Sequence, residues 1–141
     1  MDAFVPRDAF AFPDVSSPAD AFFPDTNYDS GPPATWPEVY ALFTNARCGG
    51  SRGCHYASAS GGISFTSSAA ACAQLHLPGR SPTCIMRDRI VAGEPFASLL
   101  YRKLSGPPPG CGNRMPDGRP LFTPDELSIV ARWIYAGARC P

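Results

Sequence analysis

The sequence contains one lysine and two histidines among 141 residues, and it has no long hydrophobic run. Because a membrane-spanning helix needs about 20 apolar residues, no transmembrane segment is expected. The basic and apolar regions of a signal peptide are also missing at the start of the sequence. Two histidines without a compelling nucleophile or carboxylate pair leave little from which to build a catalytic site, so we expect a protein that is not an enzyme.

Cysteine, proline and glycine are by contrast abundant, with 6, 17 and 13 residues. Six cysteines in a small chain with few charged residues are typical of exported, loop-rich proteins. We therefore expect a periplasmic, cell-surface or extracellular protein whose targeting segment has been removed.

The formal net charge of zero divides unevenly along the chain. Residues 1–30 carry one arginine and six aspartates, 1 − 6 = −5, whereas residues 31–141 carry eleven basic and six acidic side chains, 11 − 6 = +5. The arginines of the basic part are scattered and no recognition motif accompanies them, which argues against nucleic-acid binding.

Residues 1–34 form an acidic tail with a six-residue repeat, in which an aspartate recurs at Asp2, Asp8, Asp14 and Asp20. The dense prolines favour an extended backbone. Five of the nine phenylalanines also lie here, although disordered linkers are usually poor in aromatic residues: they are Phe4, Phe10, Phe12, Phe22 and Phe23. Two interpretations stay open. The tail is either a strand that docks on the basic domain, in the same chain or in a neighbouring copy, where it would form a filament, or a linker to a membrane anchor.

Residues 35–141 are expected to form one mostly α-helical domain with long loops. Thr35 and Glu38, and again Thr123 and Glu126, have capping-box spacing before an apolar helical stripe. The first of these helices is expected to end near Cys48. Two further helices are predicted in "SSAAACAQL" and in "EPFASLLYRKLSG", the latter with Phe96 and three leucines facing inward, and no convincing alternating strand pattern is found.

The stretch "RCGGSRGCHYA" carries the chemistry that stands out in the sequence. A haem is attached covalently when two cysteine thiols add to its vinyl groups and the histidine after the second cysteine binds the iron. Cys54 and His55 are contiguous as required, but five residues separate Cys54 from Cys48, where two are usual. The three glycines in this interval tolerate unusual backbone angles. A disulfide between Cys48 and Cys54, with His55 at the surface, is the alternative.

A sixth iron ligand is predicted at Met115 in "NRMPDGRP", since a thioether is a soft ligand. Met115 lies in a polar turn, where a role in core packing has little support. His76 is the rival ligand and Met86 a weaker one. Both are expected to be structural.

Three segments, "VYALFTNARCGGSRGCHYASASGGISFTSS", "RIVAGEPFASLLYRKLSG" and "RMPDGRPLFTPDELSIVARWIYAGA", resemble the single-haem cytochrome c domains of planctomycete and myxobacterial secreted proteins, which are related to class I cytochromes c. The resemblance runs in order over residues 36–138. It implies a cytochrome c-like fold, one haem c held through Cys48 and Cys54, and His55 and Met115 as the axial ligands.

The other four cysteines allow three pairings. The favoured ones are Cys72 with Cys84 and Cys111 with Cys140, the second of which would hold the Met115 loop near the iron. On this interpretation the chain is an electron carrier that works with redox partner proteins. The alternative is a haem-free binding or surface module in which all six cysteines form disulfides.

Overall fold

The computed structural model describes residues 31–45, 48, 55–56, 58–80, 87–106 and 110–141. Over these ranges the chain forms four α-helices and one short 3-10 turn, Ser60–Gly62. The helices are α1 (Trp36–Thr44), α2 (Ser68–Leu75), α3 (Leu99–Ser105) and α4 (Pro124–Tyr135). The described part has no β-strand, and its one isolated bridge joins Pro78 to Asp88. The prediction of a mostly helical domain with long loops is confirmed. The acidic tail, residues 1–30, lies outside the described residues.

Helices α1 and α4 begin where the capping boxes predict. The backbone N–H of Thr35 donates to Glu38 Oε2 at 2.7 Å, and that of Thr123 donates to Glu126 Oε2 at 2.7 Å. Each box satisfies donors that a helix start leaves without an intrahelical partner. Gly137, with φ of +96°, follows the end of α4 in a conformation that favours glycine. Helix α1 is shorter than predicted, because it ends at Thr44 rather than near Cys48.

The core forms where α1 crosses α4. The rings of Trp36 and Trp133 pack with centroids 5.1 Å apart, and Phe43 stacks on Phe65 at 5.0 Å. The indole of Trp36 also donates to the Ser68 side chain at 2.9 Å, which joins α1 to the start of α2. No helix of the described residues has the length and apolar character needed to cross a membrane.

The disulfide pairing predicted from the sequence is wrong. Cys72 in α2 is bonded to Cys140, with Cα atoms 5.8 Å apart. The segment after α4 turns back over α2, since His76 Nε2 hydrogen bonds to the Ala138 carbonyl at 2.9 Å and the Trp133 indole donates to the Arg139 carbonyl at 3.1 Å. This return places Cys140 against α2, so neither Cys72–Cys84 nor Cys111–Cys140 forms. Cys111 is itself in a disulfide, and Cys84 lies outside the described residues.

Helix α3 begins at Leu99, five residues after the predicted start at Glu94. Buried Ser98 accounts for the difference, because its hydroxyl accepts from the backbone N–H of Val91 at 2.8 Å and donates to the Glu94 carbonyl at 2.9 Å. A serine that bonds to nearby backbone stabilises a turn rather than a helix. Phe96, predicted to face inward, lies in that turn and is 37% exposed. The end of α3 at Gly106 is as expected.

Candidate functional site

An apolar cleft lies between the segment after α1, the end of α2, helix α3 and the loop that precedes Met115. Its volume is about 250 Å³, close to the lower end of the roughly 300–1,000 Å³ found for small-molecule and cofactor sites. Seven apolar side chains line it: Phe43, Ile63, Phe65, Leu75, Leu99, Leu100 and Leu104. Three of the residues that the sequence singles out for haem binding, Cys48, His55 and Met115, line the same cleft.

Cys48 and His55 are joined through the backbone. The N–H of His55 donates to the Cys48 carbonyl at 3.1 Å, and the N–H of Cys48 donates to the Phe43 carbonyl at 3.1 Å. The first bond draws the two ends of the segment between them together, whatever the length of that segment. Cys48 is buried and contributes to the core that includes Phe43 and Phe65.

The ring of His55 is oriented by two neighbours. Its Nδ1 lies 3.3 Å from the carbonyl oxygen of Ile63, and the ring forms a T-shaped pair with the Phe65 ring, with centroids 5.7 Å apart and planes at 83°. Because a carbonyl oxygen can only accept, this hydrogen bond assigns the proton to Nδ1 of the neutral ring. The lone pair is then on Nε2, as in histidines that bind a metal through Nε2 while Nδ1–H donates to a carbonyl.

The neutral form of His55 is favoured by its surroundings. Burial lowers the pKa of His55 below its ordinary value of 6.5, the Ile63 and Ser60 carbonyls act against this shift, and the charges of Arg89 and Lys103 reinforce it. A neutral imidazole is the form that binds metal ions. Electrostatics and hydrogen bonding therefore both favour a neutral ring whose lone pair is on Nε2.

Met115 reaches the cleft from the loop before α4. Its backbone N–H donates to the Lys103 carbonyl at 2.8 Å, which fixes the loop to α3. The Lys103 ammonium donates to the Asn113 carbonyl at 3.0 Å, and the Asn113 amide donates to Asp117 at 2.9 Å. Contrary to the sequence-based expectation, Met115 contributes to core packing, since it is half-buried and packs on the main core cluster. The loop thus holds a thioether at the cleft through bonds on both sides of it.

Of the other predicted ligands, only His76 lies among the described residues, and it does not line the cleft. His76 is exposed and bonded to the Ala138 carbonyl. It lies near the sulfurs of Cys72 and Cys140, but these two are joined in a disulfide and so cannot serve as thiolate ligands. Cys54 and Met86 lie outside the described residues.

Three basic residues at the cleft were not singled out by the sequence: Arg80, Arg89 and Lys103. Arg89 is 4% exposed, and no aspartate or glutamate of the described residues lines the cleft with it. The arginines are scattered along the basic part of the chain, so composition did not distinguish Arg89. The sequence feature that could have indicated burial of Arg89 is the apolar pair Ile90 and Val91, which follows it directly.

Comparison of the chain with models of protein families, with curated proteins and with solved structures finds no match.

Proposed function

We propose that this protein is an electron carrier that holds one covalently attached haem in the cleft and is not an enzyme. The observation that carries the proposal is that Met115 lines the same apolar cleft as Cys48 and His55, although it was predicted from a separate segment of the sequence. Bound there, the haem iron would supply the one-electron couple, and the protein would set its potential through ligand identity and burial.

The residues present fit such a group. His55 would bind the iron through Nε2, since Nδ1 faces the Ile63 carbonyl, and this second bond holds the imidazole in one orientation. Met115 would supply a second protein ligand to the iron, a soft thioether. Cys48, beside His55 through their backbone bond, would form one thioether and Cys54 the other. The apolar side chains around them would limit access of water to the iron, so that water would not compete with the two protein ligands.

Met115 is favoured over His76 as the second iron ligand because Met115 lines the cleft. His76 is held at the C-terminal segment by its bond to the Ala138 carbonyl and is not among the cleft residues. Recruiting it would require breaking this bond and moving the end of α2.

The acidic tail suggests how the carriers associate. Its charge of −5 complements the +5 of residues 31–141, and its five phenylalanines need a surface on which to pack. We propose that residues 1–34 dock on a neighbouring copy, since a head-to-tail contact that does not close on itself generates a filament. In an exported protein such a filament would pass electrons from haem to haem. A linker to a membrane anchor is the competing role.

A visible absorption spectrum of the purified protein tests the proposed function. The expected result is the set of sharp bands of low-spin haem, with those bands lost in His55→Ala and kept in His76→Ala. A colourless wild-type protein would instead support a haem-free, disulfide-stabilised binding or surface module. Unchanged haem content in His55→Ala, measured by pyridine haemochrome, would contradict the assignment of His55.

A further inference from the structure

Arg89 is a buried cation held by backbone oxygens. Its Nη1 donates to the Gln74 carbonyl at 2.6 Å and to the Leu77 carbonyl at 3.3 Å, and its Nη2 donates to the Gly61 carbonyl at 2.6 Å. These bonds fix the guanidinium between the end of α2 and the 3-10 turn. The carbonyl dipoles hold the guanidinium in place, but they do not neutralise its positive charge.

No carboxylate of the described residues supplies the missing negative charge. The neighbouring Asp88 is exposed and lines a separate cleft with Arg87 and Arg102. Burying an ionised group without an opposite charge is costly, and an arginine cannot avoid the cost by losing its proton. The charge balance at Arg89 is therefore incomplete without an anion.

Two more cations line the same cleft, and they strengthen the requirement for a bound anion. Burial lowers the pKa of Arg89, and the charge of Arg80 lowers it further. The Arg80 side chain packs over Gly62, where an added Cβ would lie 2.7 Å from its Cδ. Burial also lowers the pKa of Lys103. These three cations lie beside apolar walls, and Arg80 and Arg89 repel each other. The arrangement matches a ligand that has an apolar body and carboxylates at one edge.

We propose that Arg89, assisted by Arg80 and Lys103, binds the carboxylate groups of the haem and thereby fixes which edge of the haem faces the end of α2. Arg89 is a positioning residue on this proposal, which rests on the proposed function. Its charge also affects the iron. Without the cation, the haem carboxylates would stabilise the more positive ferric state, and the reduction potential would fall.

The test compares the reduction potentials of haem-loaded variants. Arg89→Gln removes the charge, Arg89→Lys keeps it, and Arg139→Gln is the control because it removes an exposed arginine that is not among the cleft residues. We expect Arg89→Gln to favour the ferric state by about tenfold, which is 59 mV for one electron, with much smaller shifts in the other two. A shift in Arg89→Gln no larger than that in Arg139→Gln would overturn the proposal.

Arg80→Gln provides a second test that does not depend on the folding of an Arg89 variant, because Arg80 is exposed. It should lower the potential in the same direction by a smaller factor, and combination with Lys103→Gln should enlarge the effect. If Arg89→Gln does not fold and the double variant has the wild-type potential, the proposal is wrong.

Two arms separate this proposal from its alternatives. Haem content is measured in every sample, so a wild type without haem rejects the proposed function and this inference together, whereas a haem-loaded Arg89→Gln at the control potential rejects the inference alone. The series is repeated in a chain that lacks residues 2–30. If the Arg89→Gln shift vanishes there, the carboxylates come from the aspartates of the tail and not from the haem.

Discussion

The two nitrogens of His55 have different surroundings, and this difference makes the residue suited to bind a metal. Nδ1 faces a carbonyl oxygen, and burial disfavours the doubly protonated ring. The contiguity of Cys54 and His55 was readable from the sequence, but the carbonyl that orients the ring was not, because it belongs to Ile63 in a segment without a recognisable pattern. A sequence motif specifies the type of ligand. The orientation of the ligand side chain depends on backbone groups from elsewhere in the chain, which only the fold brings next to it.

The two cysteines that we propose to attach the haem are expected to differ in importance. Cys54 is fixed next to His55 by the chain itself, whereas Cys48 depends on the backbone bond to His55 across a long interval. We expect Cys54→Ala to abolish stable haem incorporation and Cys48→Ala to leave a fraction attached through one thioether. Haem content after unfolding in acid measures both variants. Equal loss in the two would show that Cys48 is as strictly required as Cys54.

Replacement of Met115 tests the proposed sixth iron ligand independently of haem attachment. We expect Met115→Ala to keep the haem, to lose the methionine-to-iron charge-transfer band and to have a lower reduction potential, since water or another side chain would take the place of sulfur. The spectrum of the ferric protein provides the readout. Survival of the band in Met115→Ala, together with its loss in Met86→Ala, would assign the ligand to Met86.

At the scale of elements, capping boxes and hydrophobic periodicity predict where α1 and α4 begin, because both signals are local. The end of α1 was placed too late, near Cys48 instead of Thr44. The start of α3 was missed because Ser98 bonds to Val91 and Glu94, a tertiary use of its hydroxyl that a helical pattern does not reveal. The disulfide pairing was missed for a related reason. Short loops suggested Cys72–Cys84, but the return of the chain after α4 over α2 decides the pairing, and no local signal marks that return.

The disulfides provide a prediction at this scale. With Cys72 bonded to Cys140 and Cys111 also in a disulfide, attachment of haem to Cys48 and Cys54 requires that Cys111 pair with Cys84. Peptide mapping of the unreduced protein should find these two bridges. A bridge from Cys111 to Cys48 or Cys54 would contradict haem attachment at both cysteines.

Removal of the Cys72–Cys140 bridge should reduce stability without removing the haem. The double variant Cys72→Ser/Cys140→Ser should lose about 2–4 kcal/mol of unfolding free energy, since the bridge joins α2 to the C-terminal segment. Haem binding should persist, because neither cysteine lines the cleft. Denaturant unfolding measures the loss. Unchanged stability would show that the hydrogen bonds of His76 and Trp133 suffice to hold the C-terminal segment.

At the scale of the whole molecule, the opposite charges of the tail and the domain lead to a prediction about assembly. Deletion of residues 2–30 should convert a polymeric protein to monomers, because the docked strand would be absent. High salt should weaken the full-length assembly as well, since the attraction between −5 and +5 is screened. Light scattering measures the size of each sample. If the truncated and full-length proteins have the same size, the tail is not the connector.

The central claim is covalent attachment of one haem to this chain, and the intact mass after unfolding tests it most directly. A protein produced together with a cytochrome c maturation system should have, after unfolding, a mass greater than that of the polypeptide by one haem, with Cys48 and Cys54 resistant to alkylation after reduction. A mass equal to the polypeptide alone, with all six cysteines alkylated after reduction, would contradict the account.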